Sequence, residues 1–368
     1  MHVNAVVRVQ RMSAGMSAGV IAVCLLLVGN TRAQETQEKV IVDDVDRTFV
    51  TRLPRGYDKQ QHYPVVILLH GAHQDANDME RLTRFDELAD KDGVIAVYPN
   101  SLHGRWNVGV QPGPPVKQRR GGYGRRPWPG GGYPGGGYPG GRYPRGGQGP
   151  GRPPQNRPQS ADDVAFINQM LDKLSSEYSV DMSRIYAAGL SDGGFMAMRL
   201  GCTLSDRIAA IAPVGAAMPK TMICLPDRSI SVVMINGTDD PIVRYDGSSG
   251  RTGIYPTLSV EDSAKAWAKI DRCVEKPSHS KLPEREKGGK ETKVASYDGC
   301  PQGAQVVLYS VKDGGSTWPG GEQYEVEKTV GKTSHDIDAN EIIWSFFVTK
   351  RLPAQAPPPA KEQGKERN

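Results

Sequence analysis

Residues 189–193, which read GLSDG, constrain the fold of this chain more than any other stretch. An apolar run at 184–187 precedes them and an apolar, helix-like run at 195–200 follows. A serine on such a strand-turn-helix corner needs glycine two positions away on each side, because side chains there would collide with the strand and the helix. The pattern predicts an α/β fold with Ser191 as nucleophile; the alternative is a glycine-rich turn with an idle serine.

A second buried strand, residues 63–69, ends in the turn His70-Gly71-Ala72-His73. In serine hydrolases of α/β type, the turn after this strand supplies one oxyanion amide and the residue after the nucleophile supplies the other. We therefore predict that Ala72 N–H and Asp192 N–H form an oxyanion hole. Histidines beside such a turn more often support the loop than perform chemistry, and we assign His70 to the wall of the substrate cleft.

In the rest of the sequence, the hydrophobic pattern alternates between that of strands and that of helices. This alternation predicts a mostly parallel central sheet with helices on both faces. Residues 34–39 are expected to be a solvated tail and residues 276–293 a charged surface loop. Ser160 and Asp338 are predicted N-caps. Predicted strands are 47–53, 63–69, 94–98, 184–188, 209–214, 231–236 and 306–311, and predicted helices are 79–91, 161–174, 195–200, 259–272 and 339–347.

The loop after strand 231–236 contains two adjacent acids, Asp239 and Asp240. An acidic residue after a late strand is where α/β-hydrolases keep the triad acid. Asp240 is the better candidate because Pro241 rigidifies its loop. The alternative for Asp239 and Asp240 is a solvated turn.

Residues 1–33 have the composition of a secretory signal peptide. Arg8 and Arg11 precede an apolar run at 16–29, and small residues follow at 31–33. The apolar run is shorter than the ~20 residues that span a bilayer, so we expect no stable membrane insertion after cleavage. Cys24 would leave with the signal, and four cysteines suited to an oxidising compartment would remain. Sequence order favours pairing Cys202 with Cys224 and Cys273 with Cys300, although four cysteines permit three pairings.

Residues 110–159 interrupt the folded pattern with glycine, proline, tyrosine and arginine, including three copies of a five-residue repeat at 130–144. Such a segment cannot build a core, and we expect a disordered insertion. It contains no acid and nine positive charges; without these nine and three arginines of the signal, the net charge of +5 would become −7. An anionic polymer or surface is therefore a candidate partner. Nucleic acid is not expected, because the chain is predicted to be exported.

Several motifs resemble the secreted polyhydroxybutyrate depolymerase and feruloyl or acetylxylan esterase group, carbohydrate esterase family one of the α/β-hydrolases. The resemblance covers most of the chain outside the tails, the insertion and residues 276–293. It implies Ser191 as nucleophile, Asp240 as acid, the Ala72 and Asp192 amides as oxyanion hole, both disulfides, and Trp106 and Trp318 flanking the substrate cleft. The matching stretches are LLHGAHQ (68–74), YPNS (98–101) with RWNVG (105–109), ADDVAFINQML (161–171), IYAAGLSDGGFMAMRLGC (185–202), INGTDDPIVRY (235–245) and GGSTWPGG (314–321) with DIDANEIIWSFF (336–347).

The chain differs from this group at the residue that serves as the catalytic base. The group's last motif has the form G-G-H-T-W-P-G, and this sequence has Ser316 where the histidine should be. A serine hydroxyl does not accept a proton near neutral pH, so Ser191 would be a weak nucleophile. His335 is the nearest substitute base; its alternative is a surface histidine in a helix-entry turn.

These observations predict a signal peptide at 1–33, one α/β-hydrolase domain at 34–352 interrupted by the insertion, and a mobile tail at 353–368. The expected function is hydrolysis of hydroxyacid, phenolic or acetyl esters by a secreted or periplasmic protein, without metal or organic cofactor. The first alternative is an inactive hydrolase fold that binds such ligands or a surface. In the second alternative, the basic insertion carries the function by binding an anionic polymer or surface.

Overall fold

The computed structural model describes residues 34–110, 161–248, 255–283 and 289–353. The predicted signal peptide, the predicted insertion apart from Val110, and the tail beyond Pro353 lie outside these residues. So does the predicted N-cap Ser160. Within the described residues, no helix is long and apolar enough to cross a membrane.

One mixed sheet of ten strands organises the described chain, in the order β1-β2-β4-β3-β5-β6-β7-β10-β9-β8. The pairs β4–β3, β3–β5, β5–β6, β6–β7 and β7–β10 are parallel, and the pairs at the two edges are antiparallel. The strands are β1 (Gln34–Val42), β2 (Val45–Leu53), β3 (Tyr63–Leu69), β4 (Ile95–Pro99), β5 (Val180–Leu190), β6 (Ala210–Val214), β7 (Ser231–Gly237), β8 (Ser278–Leu282), β9 (Thr292–Tyr297) and β10 (Val306–Val311).

Helices cover both faces of this sheet, as the sequence predicted. On one face, α3, α4 and α5 pack on side chains such as Val65 and Ile67; on the other, α1, α2 and α7 pack on Val66 and Leu68. This two-sided burial explains why β3 is apolar at every position. The α/β-hydrolase fold class is therefore confirmed. The helices are α1 (Ala76–Thr83), α2 (Phe85–Asp92), α3 (Asp163–Glu177), α4 (Asp192–Thr203), α5 (Val260–Ile270), α6 (Glu327–Val330) and α7 (Ala339–Phe347).

Three local predictions were wrong. The predicted helix 79–91 is two helices, because Arg84 adopts a left-handed conformation between them. The expected solvated tail at 34–39 belongs to β1, which pairs along its length with β2. The expected surface loop at 276–293 contributes β8 and the start of β9. Antiparallel pairing provides hydrogen bonds for their backbone groups, although β8 is exposed.

Hydrogen bonds join the segment before residue 111 to the segment after residue 160. The Asn107 side-chain amide donates to Ala161 O at 2.8 Å, and the Asn107 backbone N–H donates to the Asp163 carboxylate at 2.6 Å. Arg47 forms a buried ion pair with the same carboxylate, at 2.5 Å. Side chains of the folded domain therefore hold together the two segments that flank residues 111–160.

Both predicted disulfides are present, between Cys202 and Cys224 and between Cys273 and Cys300. The first joins the end of α4 to the segment before β7, and the second joins the residues after α5 to those after β9. Each closes a loop at the periphery of the sheet, away from the turn that carries Ser191.

Candidate functional site

Ser191 lies on a strained corner between β5 and α4. Its backbone has φ 51° and ψ −110°, and its N–H donates to Val214 O at 2.8 Å. A β-carbon on Gly193 would lie 2.0 Å from Leu69 O, and one on Gly189 would lie 2.3 Å from Gly193 O. Only glycine fits at these two positions, which is the reason given above for the sequence pattern.

Two backbone amides stand free beside Ser191, at the positions predicted for an oxyanion hole. Neither Ala72 N–H nor Asp192 N–H donates to an acceptor in the part of the chain that the structure describes. Ala72 and Asp192 line the same cavity as Ser191, which has a volume of about 510 Å³. Asp192 is also the first residue of α4, where the helix dipole favours negative charge.

His70 supports the Ala72 turn from behind and does not line the cavity. Its side chain is 1% exposed, its Nδ1 lies 2.7 Å from Gly71 O, and its Nε2 lies 3.0 Å from Ser101 N. The Ser101 N–H is a donor, so we assign the ring proton to Nδ1, which donates to Gly71 O. Burial lowers the pKa of His70, a direction that favours the neutral imidazole. The prediction that His70 forms part of the cleft wall is not met, because its ring is enclosed.

The Asp192 side chain has a role that the sequence analysis missed. Its carboxylate accepts from the Trp106 N–H at 2.8 Å and from Arg105 Nη2 at 3.3 Å. Burial raises the pKa of Asp192, and the Trp106 amide and the Arg105 charge oppose that rise. The residue after the nucleophile thus anchors the segment at 105–106 to the elbow.

The structure does not place the two predicted cleft tryptophans at the cavity surface. Trp106 is 2% exposed, and its Nε1 donates to His70 O at 2.9 Å. Trp318 is fully buried, and its Nε1 donates to Asn340 Oδ1 at 3.0 Å. Both rings support the loops around the site from within the core, because their large apolar surfaces are packed away from water.

Asp240 follows β7 and is 4% exposed. Its Oδ1 accepts from the backbone N–H groups of Ile242 and Val243, at 2.7 and 2.8 Å. Its Oδ2 is buried without a hydrogen-bond partner among the described residues. Burial raises the pKa of Asp240 to about 7, and the two amides oppose that rise. Oδ2 is the atom that would accept an imidazole N–H in a complete triad.

Ser316 lies beside Asp240, where the resemblance puts a histidine. A β-carbon on Gly215 would lie 3.5 Å from Ser316 Oγ and 3.7 Å from Asp240 Oδ2. The Ser316 hydroxyl weakly lowers the pKa of Asp240. The two groups nevertheless do not meet in hydrogen-bonding geometry, and Ser316 Oγ has no other partner among the described residues. Both residues are buried.

Close backbone packing fixes Ser316 at this place. The Ser316 N–H donates to Val330 O at 2.6 Å, and Asp239 N–H donates to Gly314 O at 3.0 Å. A β-carbon on Gly237 would lie 2.1 Å from Gly314 O, so β7 and the 314–316 turn require glycine where they touch. The loop that carries Asp240 and the 314–316 turn are therefore packed directly against each other.

No imidazole contacts Ser191 in the described part of the chain. His335 is exposed and does not line the cavity, so the structure does not bring this predicted substitute base to the nucleophile. Ser191 Oγ forms no hydrogen bond with a described residue. Among the described residues that line the cavity, His73 is the one histidine, and it is solvent-exposed. The lining residues are Gly71, Ala72, His73, Gln74, Asp78, Arg81, Arg105, Ser191, Asp192, Phe195, Ile242, Tyr324, Glu325, Thr329 and Val330.

The raised pKa of Asp240 predicts a specific pH dependence of stability. In the folded protein Asp240 keeps its proton up to its raised pKa of about 7, whereas in the unfolded chain it loses the proton near its ordinary pKa of 3.8. Between these values the folded state binds more protons, so this group makes the free energy of unfolding fall as pH rises through that window. One pKa unit corresponds to about 1.4 kcal/mol, so we expect an effect of up to about 4 kcal/mol.

The variant Asp240→Asn measures this effect, because it keeps the side-chain size and removes the titration. Urea unfolding of both proteins between pH 4 and pH 8 should give a difference in the free energy of unfolding that grows in favour of the variant up to about pH 7. Asp271, whose pKa burial also raises to about 7, titrates in both proteins and cancels. A difference that stays constant with pH would show that Asp240 is ionised throughout.

The sequence of this chain is similar to those of named esterases. No family model matches the chain. The putative esterase NocK of Nocardia uniformis is 25% identical over 329 residues, covering 86% of this chain and 83% of that protein. Feruloyl esterase B of Piromyces equi is 32% identical over 164 residues, but these cover 42% of this chain and 29% of that protein. The acetyl xylan esterase of Aspergillus awamori superposes with a TM-score of 0.49 at 13% identity, over 86% of this chain and 99% of the other.

Other curated matches are named acetylxylan esterase/xylanase and poly(3-hydroxyalkanoate) depolymerase, and each covers about half of this chain or less. The matched proteins thus carry the names of the group that the motifs of this chain resemble.

Proposed function

We propose that this chain, an α/β-hydrolase fold similar in sequence to feruloyl esterases, acetylxylan esterases and poly(3-hydroxyalkanoate) depolymerases, is a carboxylic ester hydrolase with Ser191 as nucleophile. The observation that carries the proposal is the strained Ser191 corner with two free amides, Ala72 N–H and Asp192 N–H, on one cavity. We further propose that it works outside the cytoplasm, a compartment suited to its two disulfides.

The proposed reaction is acyl transfer to Ser191 followed by hydrolysis. The ester carbonyl oxygen would lie between the Ala72 and Asp192 amides, which stabilise the negative charge of the tetrahedral intermediate. The Ser191 proton must leave as the bond to the carbonyl carbon forms, and the departing alcohol must gain a proton. Among the described residues, no hydrogen bond joins Ser191 Oγ to Asp240 or Ser316, so we propose that water accepts the proton and we expect a low rate.

Well-studied hydrolases that lack a triad member keep roughly 10³ to 10⁴-fold acceleration over water from the oxyanion hole and substrate binding. We expect the same order here. The test compares wild type and Ser191→Ala on p-nitrophenyl acetate, methyl ferulate and a 3-hydroxybutyrate dimer. Hydrolysis above the rate of Ser191→Ala supports the proposal, and the preferred ester identifies the substrate. Equal rates for wild type and Ser191→Ala on all three esters would contradict the proposal.

A second candidate is a protein that binds such esters without turning them over. The observation that favours it is that Ser316 and Asp240 are buried and that neither forms a hydrogen bond with Ser191 among the described residues. Under this candidate, the Ser191 cavity binds a ferulate or hydroxybutyrate ester with the same affinity in wild type and Ser191→Ala, and neither protein releases alcohol.

A further inference from the structure

A second cavity, of about 610 Å³, is larger than the one at Ser191. We call it the edge trough; its defining residues are Thr238, Tyr245, Glu261, Ala295, Ser310 and Lys312. Thr238 directly follows β7 and Lys312 directly follows β10, which are neighbouring parallel strands. Ligands of open α/β sheets bind outside the carboxyl ends of such strands.

The edge trough is distinct from the Ser191 cavity, because the two share no lining residue. The loop that carries Asp240 separates them: Thr238, at its start, lines the trough, and Ile242, near its end, lines the Ser191 cavity. A chain-like molecule could therefore occupy both cavities across one loop, whereas the proposed chemistry uses only one of them.

The trough has an apolar floor with polar groups above it. Leu308 and Tyr297 are buried on the sheet. Over them, the hydroxyl of half-buried Tyr245 lies 2.6 Å from Ser310 Oγ and 3.5 Å from Glu261 Oε1. A few convergent polar groups on an apolar surface, in a volume between about 300 and 1,000 Å³, are typical of small-molecule binding sites.

The charges around the trough balance, which argues against an ionic ligand. Two carboxylates, Glu261 and Glu291, and two ammonium groups, Lys293 and Lys312, line it together with the imidazole of His279. Glu291 is also held at 2.5 Å by Lys281. The hydroxyls of the trough can both donate and accept hydrogen bonds, its carboxylates accept and its ammonium groups donate, and this mixture suits a neutral polyhydroxylated molecule with an apolar face.

We propose that the edge trough binds a neutral oligosaccharide segment of the substrate, with Tyr245, Glu261 and Ser310 on its hydroxyls and the floor on its apolar face. The choice of saccharide rests on the proposed function, because a polysaccharide ester would present its sugar chain next to the bond that Ser191 attacks. Binding itself requires no turnover.

The experiment is calorimetric titration of xylohexaose into the full chain carrying Ser191→Ala. Ala295 is a half-buried alanine of the trough, so Ala295→Trp should fill it and weaken binding at least tenfold. Ala266→Trp changes another half-buried alanine, outside the trough, and should bind as before. Tyr245→Phe removes one hydroxyl and should weaken binding by roughly fivefold, as expected for about 1 kcal/mol.

Three results would overturn the inference: no binding of xylohexaose at millimolar concentration, equal binding by Ala295→Trp and Ala266→Trp, or tighter binding of oligogalacturonate than of xylohexaose. The last would show an anion site. Because the titration uses Ser191→Ala, saccharide binding without any hydrolysis by wild type would contradict the proposed function and leave the trough assignment standing.

Discussion

The substitution Ser316→His should raise kcat/KM on a short p-nitrophenyl ester by about 10²-fold or more, the typical contribution of a positioned base. The Ser191 corner and the Ala72 and Asp192 amides are in place, and Asp240 Oδ2 is buried without a hydrogen-bond partner in the described part of the chain. An imidazole at position 316 would donate one N–H to that oxygen and accept the Ser191 proton at its other nitrogen. Steady-state kinetics of wild type and variant at pH 8 measure the gain.

Three controls separate catalysis from other effects. Ser316→Ala, which removes the hydroxyl without adding a base, should show no gain. Ser316→His combined with Ser191→Ala should lose the gain completely. Ser316 is fully buried, so thermal unfolding must show that the larger side chain is accommodated. A folded Ser316→His without a gain would mean that the cavity has diverged beyond its base, and the ligand-binding candidate would replace the catalytic one.

Gly193→Ala should lower the free energy of unfolding by more than ~4 kcal/mol, beyond the range of most single substitutions. The new β-carbon would lie 2.0 Å from Leu69 O and 2.7 Å from His70 O. Both contacts are backbone atoms of the strand and turn next to the elbow, so β3 and α4 would have to separate. Urea unfolding followed by circular dichroism measures the loss, and absence of folded protein is the extreme case.

Gly56→Ala is the uncrowded comparison, because Gly56 lies in an exposed turn, whereas Gly193 is buried at the start of α4. Its φ is 76°, and a β-carbon there would meet no atom within 4 Å. The cost should be that of left-handed backbone alone, about 1–2 kcal/mol. Equal losses in Gly56→Ala and Gly193→Ala would refute the claim that close packing at the elbow requires glycine.

The sequence predicts the fold well wherever local patterns coincide with tertiary constraints. Residues 189–193 gave the position of the strained turn because no other residue type fits between β5 and α4. The strands at the centre of the sheet were recognisable because burial on both faces makes them apolar throughout. Sequence order favoured the observed cysteine pairing but left the two other pairings open.

Features set by long-range packing were not predictable in the same way. Nothing local marks Arg84 as a break between α1 and α2, and the pairing of β8 with β9 depends on the sheet edge that β10 supplies. The clamp of Asp192 on Trp106 joins residues 86 positions apart. Trp106 and Trp318 were assigned to the cleft by resemblance, whereas their burial depends on how the loops pack.

The central claim is that Ser191 lacks only a proton acceptor, and the pH dependence of kcat/KM tests it most directly. In Ser316→His, hydrolysis should rise with pH as the new imidazole loses its proton, near the ordinary histidine pKa of about 6.5. Wild type should show no such step that depends on a histidine. A wild-type step near pH 6.5 that disappears in His335→Ala or in His73→Ala would contradict the account, because another imidazole would then already serve as the base.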